Sequence, residues 1–136
     1  MTALNKDRAT PQRAGDLVAD PLGAGVTIFA GSMYVLDDEG LALIATAAAT
    51  ASVRAVARKR AVYADGDEYT DGAIGTFRFD NSAGGTAITR AHIGSNAYAV
   101  DDQTVANAGT CVAGEILDVD ESGVWVRIGT RVPTAP

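Results

Sequence analysis

The sequence predicts a mainly β protein, a small β-sandwich or β-barrel with an extended N-terminal arm. Its apolar runs are short and end at glycine or acidic residues, and turn signals recur roughly every eight to twelve residues. Fifteen glycines against four prolines permit many sharp turns. A chain of 136 residues has the length of one domain.

The first 20 residues form the arm in this prediction. They are polar and carry Pro11 within the segment, with Pro21 directly after it, and they lack a regular apolar period. Such a segment is ordered only where something holds it down. We therefore expect an extended arm over residues 1–20 and a single β-rich domain over residues 21–136.

Short apolar runs begin the domain. Val26–Phe29 and Met33–Leu36 are too short for helices, and Gly31 separates them. The sequence DDEG then turns the chain into a third run. The segment Leu41–Tyr63 is ambiguous, because its alanines favour a helix whereas its threonines and valines favour extended chain. Local rules leave both alternatives open.

The later strands are clearer. Thr76–Asp80 alternates apolar and polar residues, and the segment from residue 109 to 129 predicts a hairpin that turns at Ser122-Gly123. In its second arm the apolar side chains alternate with Trp125 and Arg127. We expect Trp125 in the core of a closed barrel, with an exposed interface anchor as the alternative.

The sequence contains few residues in an arrangement typical of a catalytic site. Thr86–Ala106 holds the single histidine, His92, near Ser95, Asp101 and Asp102, but no nucleophile motif surrounds the serine. We interpret these residues as strand and turn formers, with Gly94 permitting a tight turn and the aspartates bonding to backbone. We therefore expect no enzyme activity.

Metal and cofactor sites are not expected either. One histidine and one cysteine cannot form a zinc cage, and Cys111 is interpreted as a small buried apolar residue. Asp65–Gly72 resembles a calcium loop, but Tyr69 and Thr70 occupy its fifth and sixth positions, so a solvated acidic turn is the better interpretation. No dinucleotide or phosphate loop is found. The sequence therefore predicts no cofactor.

Charge and hydropathy exclude further classes. A formal net charge of −6 argues against binding along nucleic-acid backbones. The chain has no apolar run long enough to cross a membrane as a helix, and its N-terminus lacks the apolar core of a secretory signal. We expect a protein used inside a cell or in a particle assembled there.

The basic residues are unevenly distributed. One group lies near the start of the chain and a second between residues 54 and 60, whereas the C-terminal half is mostly acidic. This polarity predicts pairing with another copy or with a partner, and a solvated mixed surface is the alternative.

Three stretches together resemble a known family. They are DRATPQRAGD near the start, GTFRFDNSAGGTAITRAHIGSNAYAVDDQTVA in the centre, and AGEILDVDESGVWVRIG at the end. In this order they resemble the small head decoration, or capsid cement, proteins of Mu-like and related tailed phages. The segment from residue 41 to 75 matches least, because it is alanine-rich and carries the basic VRAVARKRAV.

The resemblance implies a non-enzymatic β-rich protein on the outside of an icosahedral capsid, assembled in the host cytoplasm. It implies extended structure in the ambiguous segment. The expected partners are the major capsid protein and the chain itself, as a homotrimer or, next, a dimer, with no nucleic acid and no membrane. Another virion part, such as a tail or connector component, is the alternative.

Two residue groups follow from this interpretation. The expected capsid-binding residues lie in the arm and are Lys6, Arg8, Thr10, Pro11 and Arg13. The expected oligomer-interface residues combine the second basic group with aromatic and arginine positions of later strands and are Arg58, Arg60, Tyr98, Trp125 and Arg127.

Overall fold

The structure is a computed structural model that describes residues 2–3, 5–9 and 15–129. Strands account for 46% of the described residues and helices for 7%, which confirms the prediction of a mainly β protein. The helices are single 3-10 turns. The strands are β1 (Leu17–Pro21), β2 (Thr27–Ile28), β3 (Met33–Leu36), β4 (Ala42–Ile44), β5 (Val53–Ala57), β6 (Ala61–Val62), β7 (Tyr69–Ala73), β8 (Gly75–Asn81), β9 (Asn96–Ala99), β10 (Thr104–Ala106), β11 (Val112–Asp120) and β12 (Gly123–Ile128).

A five-stranded antiparallel sheet has the order β1-β7-β5-β3-β4. Met33, at the start of β3, lies opposite Val56, near the end of β5. The β3–β4 turn and the β5–β6 loop therefore leave the sheet at opposite ends. β1 and β4 form its two edges.

The later strands form a closed barrel in the order β10-β8-β12-β11-β9. The predicted hairpin is present as β11 and β12, and Val124, Val126 and Ile128 are all fully buried. β10 closes the barrel by pairing parallel with β8 and antiparallel with β9. Closure leaves no free edge among the five barrel strands.

The sheet and the barrel share one core. β7 of the sheet is followed after one residue by β8 of the barrel, so the chain passes directly between them. Met33, Val35 and Val56 on one face of the sheet pack in the same apolar cluster as Ile116 and Val126 of the barrel. Burial of such side chains contributes roughly 1.5–3 kcal/mol each, which ties the two parts together.

A second apolar cluster covers the other face of the sheet. Tyr34, Ala55 and Ala57 lie under Ile28 and Ala61, which belong to the two-stranded β2–β6 ribbon. The small alanine side chains allow this ribbon to approach the sheet closely. Both faces of the central strands are therefore buried.

The ambiguous segment from Leu41 to Tyr63 is extended, as β4, β5 and β6. Within β5, Val53 and Val56 face the shared core whereas Ala55 and Ala57 face the second cluster. Pairing with β3 and β7 satisfies the backbone of β5, and this tertiary pairing overrides the helix propensity of alanine.

The predicted arm over residues 1–20 ends within a strand. β1 begins at Leu17 and pairs antiparallel with β7 over five residues. Lys6 and Arg8 are exposed. Thr10, Pro11 and Arg13 lie outside the described residues.

Candidate interaction surfaces

A buried polar cluster fastens β1 to the sheet. The Tyr34 hydroxyl donates a 2.7 Å hydrogen bond to Asp20 Oδ2, and Tyr34 is fully buried. The Arg54 guanidinium donates to both carboxylate oxygens of Asp20, at 3.1 and 3.2 Å. This bidentate geometry is the strong form of an arginine–carboxylate pair. The cluster joins strands far apart in sequence and attaches the end of β1 to the central strands of the sheet.

The position of Arg54 depends on a β-bulge. In the β3–β5 pairing Tyr34 lies opposite Ala55 and Val35 opposite Val53, so Arg54 is the extra residue. A bulge redirects a side chain out of the regular alternation. The Arg54 side chain is 36% exposed while that of Asp20 is only 7% exposed, so the pair lies at the boundary between the core and solvent.

Burial and hydrogen bonding change the acid–base properties of the cluster. Burial raises the pKa of the Tyr34 hydroxyl far above its ordinary value, and the hydrogen bond to Asp20 raises it further. The hydrogen bond to Asp20 also raises the pKa of Arg54. The tyrosine is therefore a hydrogen-bond donor across the physiological range.

β1 offers a short unpaired edge at Leu17 and Ala19, whereas just beyond the strand Leu22 forms a parallel bridge to Ala42 of β4. The Ile74 N–H donates to the Asp16 carbonyl and the Leu22 N–H donates to the Glu68 carbonyl, which sets the alternation of hydrogen bonds with β7. By that alternation the backbone N–H and C=O groups of Leu17 and Ala19 point away from the sheet. Leu17 is 44% exposed. Such an edge can accept another extended segment.

The β5–β6 loop carries the predicted basic residues. Arg58, Lys59 and Arg60 are exposed, and Lys59 forms a 3.3 Å ion pair with Asp71. Phe29 lies at the same end of the sheet, because the turn that follows it is hydrogen-bonded to Ala57, and its side chain is 56% exposed. We call Phe29, Arg58 and Arg60 the basic end.

The β3–β4 turn carries acidic residues at the opposite end of the sheet. Asp37 Oδ1 accepts the N–H groups of Glu39 and Leu41, at 2.8 and 3.0 Å, so this carboxylate shapes the turn. Asp38 and Glu39 are exposed and, among the described residues, form no ion pair. We call Asp38 and Glu39 the acidic end.

Trp125 lies on the outside of the barrel, which corrects the expectation of a core position. The Arg78 guanidinium stands 5.8 Å from its ring centroid, and its indole N–H points at Asp120 Oδ2 at 3.4 Å. Alternation along β12 places Val124 and Val126 inward and so forces Trp125 outward. The barrel interior is filled by aliphatic side chains together with the rings of Phe77 and Phe79 on β8, which lie opposite Val126 and Val124.

The expected interface residues occupy separate places. Arg127 pairs with Glu115 at 3.5 Å beside Trp125 on the outer barrel wall. Tyr98 is half-buried on β9, which β11 separates from β12. Arg58 and Arg60 lie together in the β5–β6 loop, so the structure brings together the pair in this loop and the pair on β12 but does not join the two pairs or Tyr98 into one surface.

The polar residues of the stretch from Thr86 to Ala106 have different partners. His92 Nδ1 accepts the Thr89 N–H at 2.9 Å and so caps a 3-10 turn formed by Arg90–His92. Asp101 accepts the Gln103 N–H at 2.9 Å, and Asp102 accepts the Ser32 hydroxyl at 3.2 Å. None of these three hydrogen bonds joins His92 to Ser95, Asp101 or Asp102. Asp101 shapes a turn, as predicted, whereas the Asp102 carboxylate bonds a side chain 70 residues away and does not make the predicted bond to nearby backbone.

Cys111 and the acidic loop were the other candidates. Cys111 is fully buried, as predicted, and burial raises the pKa of its thiol. In the acidic loop Asp67 accepts the Val62 N–H at 2.8 Å. Over residues 2–3, 5–9 and 15–129, no three histidine, cysteine or acidic side chains are grouped as metal ligands.

The Asp20–Tyr34–Arg54 cluster was not predicted from the sequence. A signal for it exists, because Asp20 and Arg54 each stand inside an apolar run, where an ionisable residue requires a partner. Nothing local identifies that partner.

Comparison with known proteins finds no matching family, no curated relative and no solved structure similar to the chain. In the part of the chain that the structure describes, no helix is long and apolar enough to cross a membrane.

Proposed function

We propose that this chain is a non-enzymatic head decoration protein, or capsid cement protein, of a tailed phage. It binds the outer surface of the icosahedral capsid and stabilises the joints between major capsid subunits. The observation that carries the proposal is the fastening of β1. A basic arm leads into a strand that Asp20, Tyr34 and Arg54 anchor in the core, so a pull on the arm is transmitted to the whole domain.

The physical task of such a protein is to add contact area across joints. Lys6 and Arg8 are exposed and suit an acidic capsid surface. The outward backbone groups of Leu17 and Ala19 offer a place where an extended segment of the capsid subunit adds to the sheet. Each contact is modest, and engagement of several capsid subunits by one oligomer multiplies their effect.

The oligomer in this proposal is a homotrimer, with a dimer as the next state. A closed symmetric assembly presents several arms to the capsid at once. The basic and acidic ends of the sheet support self-association, since they carry opposite charge on the same chain.

Deletion of residues 1–16 tests the role of the arm. We expect the truncated protein to lose binding to capsids that lack the decoration protein, measured by co-sedimentation, while its circular dichroism spectrum stays that of the full chain. The deletion ends before β1, so the anchored strand is kept. A truncated protein that decorates capsids like the full chain would contradict the proposed role of the arm.

A charge-reversal variant separates the electrostatic attraction of the arm from the effect of shortening it. Lys6→Glu with Arg8→Glu should weaken capsid binding by at least tenfold at low salt, because opposite charge becomes like charge. The matched control Asp7→Ser alters the same segment but keeps both basic residues, so it should not weaken capsid binding. Labelling that places the protein along the tail would favour the tail or connector alternative.

A further inference from the structure

The two ends of the five-stranded sheet carry complementary features. The basic end has two arginines, Arg58 and Arg60, without an ion pair among the described residues. The acidic end has two carboxylates, Asp38 and Glu39, which also form no ion pair among the described residues. Because these ends point in opposite directions along the sheet, one molecule cannot bring them together.

The two ends also differ in shape, since one carries an exposed aromatic ring and the other a groove. Phe29 projects at the basic end with 56% of its surface exposed. At the acidic end an open groove of about 440 Å³ lies beside Leu36, two residues before Asp38. Its wall includes Ala51 and Val53, and its volume lies in the range of pockets that accept small ligands. The groove is larger than a phenyl ring.

The charged residue in the groove does not oppose this docking. Arg54 contributes to the wall, but its guanidinium is already paired with both carboxylate oxygens of Asp20. Asp38 and Glu39 follow Leu36 within three residues, so their exposed carboxylates lie on the turn beside the groove. An incoming basic end meets carboxylates at the rim and a wall of mixed character, in which Leu36, Ala51 and Val53 alternate with Thr50 and Ser52.

We propose that the chain self-associates head to tail, with the basic end of one copy docked on the acidic end of the next. Phe29 enters the groove beside Leu36, while Arg58 and Arg60 pair with Asp38 and Glu39 of the neighbouring copy. Such an interface joins two different surfaces, so successive copies close into a ring when the rotation permits it. The inference rests on the homo-oligomer of the proposed function and names the surfaces that form it.

Charge reversal at each end tests the proposal on the free protein. The variants are Arg58→Glu with Arg60→Glu, Asp38→Lys with Glu39→Lys, and the combination of all four changes. Asp37 and Lys59 stay unchanged because Asp37 shapes its turn and Lys59 pairs with Asp71. The measurement is the molar mass by light scattering and sedimentation over a range of concentrations.

We expect each double variant to associate at least tenfold more weakly than the natural chain, and the combined variant to recover the natural mass. Recovery follows because both ends are inverted and again attract, which mutational damage would not produce. Higher salt should weaken the association of the natural and combined chains alike. The matched control Asp80→Lys with Glu121→Lys reverses two exposed barrel charges and should leave the mass unchanged.

A second variant tests the groove without changing charge. Phe29→Ser removes an exposed ring, so the fold is retained, and it should weaken association at least tenfold. Natural mass in both double variants, or in Phe29→Ser, would overturn the proposal. So would a natural chain that is monomeric in solution and needs these ends only for capsid binding.

Capsid co-sedimentation of the same variants separates the two proposals. Loss of the oligomer with retained capsid binding at high protein concentration leaves the decoration function intact. An intact oligomer that never binds capsids contradicts the decoration function alone.

Discussion

Replacement of Arg54 by methionine should destabilise the protein more than neutralisation of its partner. Met keeps the packing of the aliphatic stem, but it leaves the Asp20 carboxylate, 7% exposed, without its cation. Removal of one member of a buried ion pair costs about 3–5 kcal/mol. The Arg54 side chain is 36% exposed, so water screens the pair. We therefore expect a loss of about 2 kcal/mol in the free energy of unfolding.

The reverse change is milder. Asp20→Asn retains an acceptor for the Tyr34 hydroxyl, and the freed Arg54 guanidinium can be hydrated at the surface. We expect a loss of about 1 kcal/mol. The double variant contains no uncompensated buried charge, so it should be more stable than Arg54→Met alone.

Urea denaturation of the natural chain, both single variants and the double variant measures these four free energies. Amide hydrogen exchange adds a local readout, because the N–H of Val18 on β1 should lose protection most in Arg54→Met. Additive losses in the double variant would refute the reasoning, since they would mean that the two side chains contribute independently. An Arg54→Met variant as stable as the natural chain would do the same.

Two further predictions concern the same cluster. The raised pKa of Tyr34 means that the unfolded chain loses the hydroxyl proton at a lower pH than the folded chain. The free energy of unfolding should therefore decrease as the pH rises above about 10, by at most about 1.4 kcal/mol per pH unit. Comparison with Tyr34→Phe isolates this contribution. A natural chain and a Tyr34→Phe variant with parallel alkaline profiles would contradict it. Gly72→Ala should cost about 2–3 kcal/mol, because a Cβ at this position would collide with the Tyr34 hydroxyl and lie 2.8 Å from the Cβ of Ala55. Gly85→Ala, which meets nothing within 4 Å, is the control, and equal thermal midpoints for the two variants would rule out the close packing.

The anchoring of β1 has a consequence for function. A strand at the edge of a sheet is normally among the first segments to open. The contacts of Asp20 with Tyr34 and Arg54 counter this tendency where the arm begins. In the proposed decoration function, this anchoring would let the arm transmit force without detaching its own first strand.

Sequence alone determined the elements whose pattern is local. Met33–Leu36 is a strand with the predicted bounds, and the predicted hairpin is present as β11 and β12. Its turn is Glu121-Ser122, one residue before the predicted Ser122-Gly123, because Gly123 already pairs with Asp120. Strand alternation and turn chemistry operate between neighbouring residues, so they can be read directly. The burial of Cys111 and the turn role of Asp101 followed from the same local rules.

Tertiary structure decided what depends on distant partners. β5 is extended because β3 and β7 pair with it, although its alanines also suit a helix. Trp125 lies outside because closure of the barrel fixes which face of β12 turns inward. Asp20 and Arg54 are 34 residues apart and meet only because the sheet order brings β1 near the bulge in β5. Hydrogen bonding and burial between distant segments have no signature within either segment, and they fixed the cluster, the two ends and the free edge of β1.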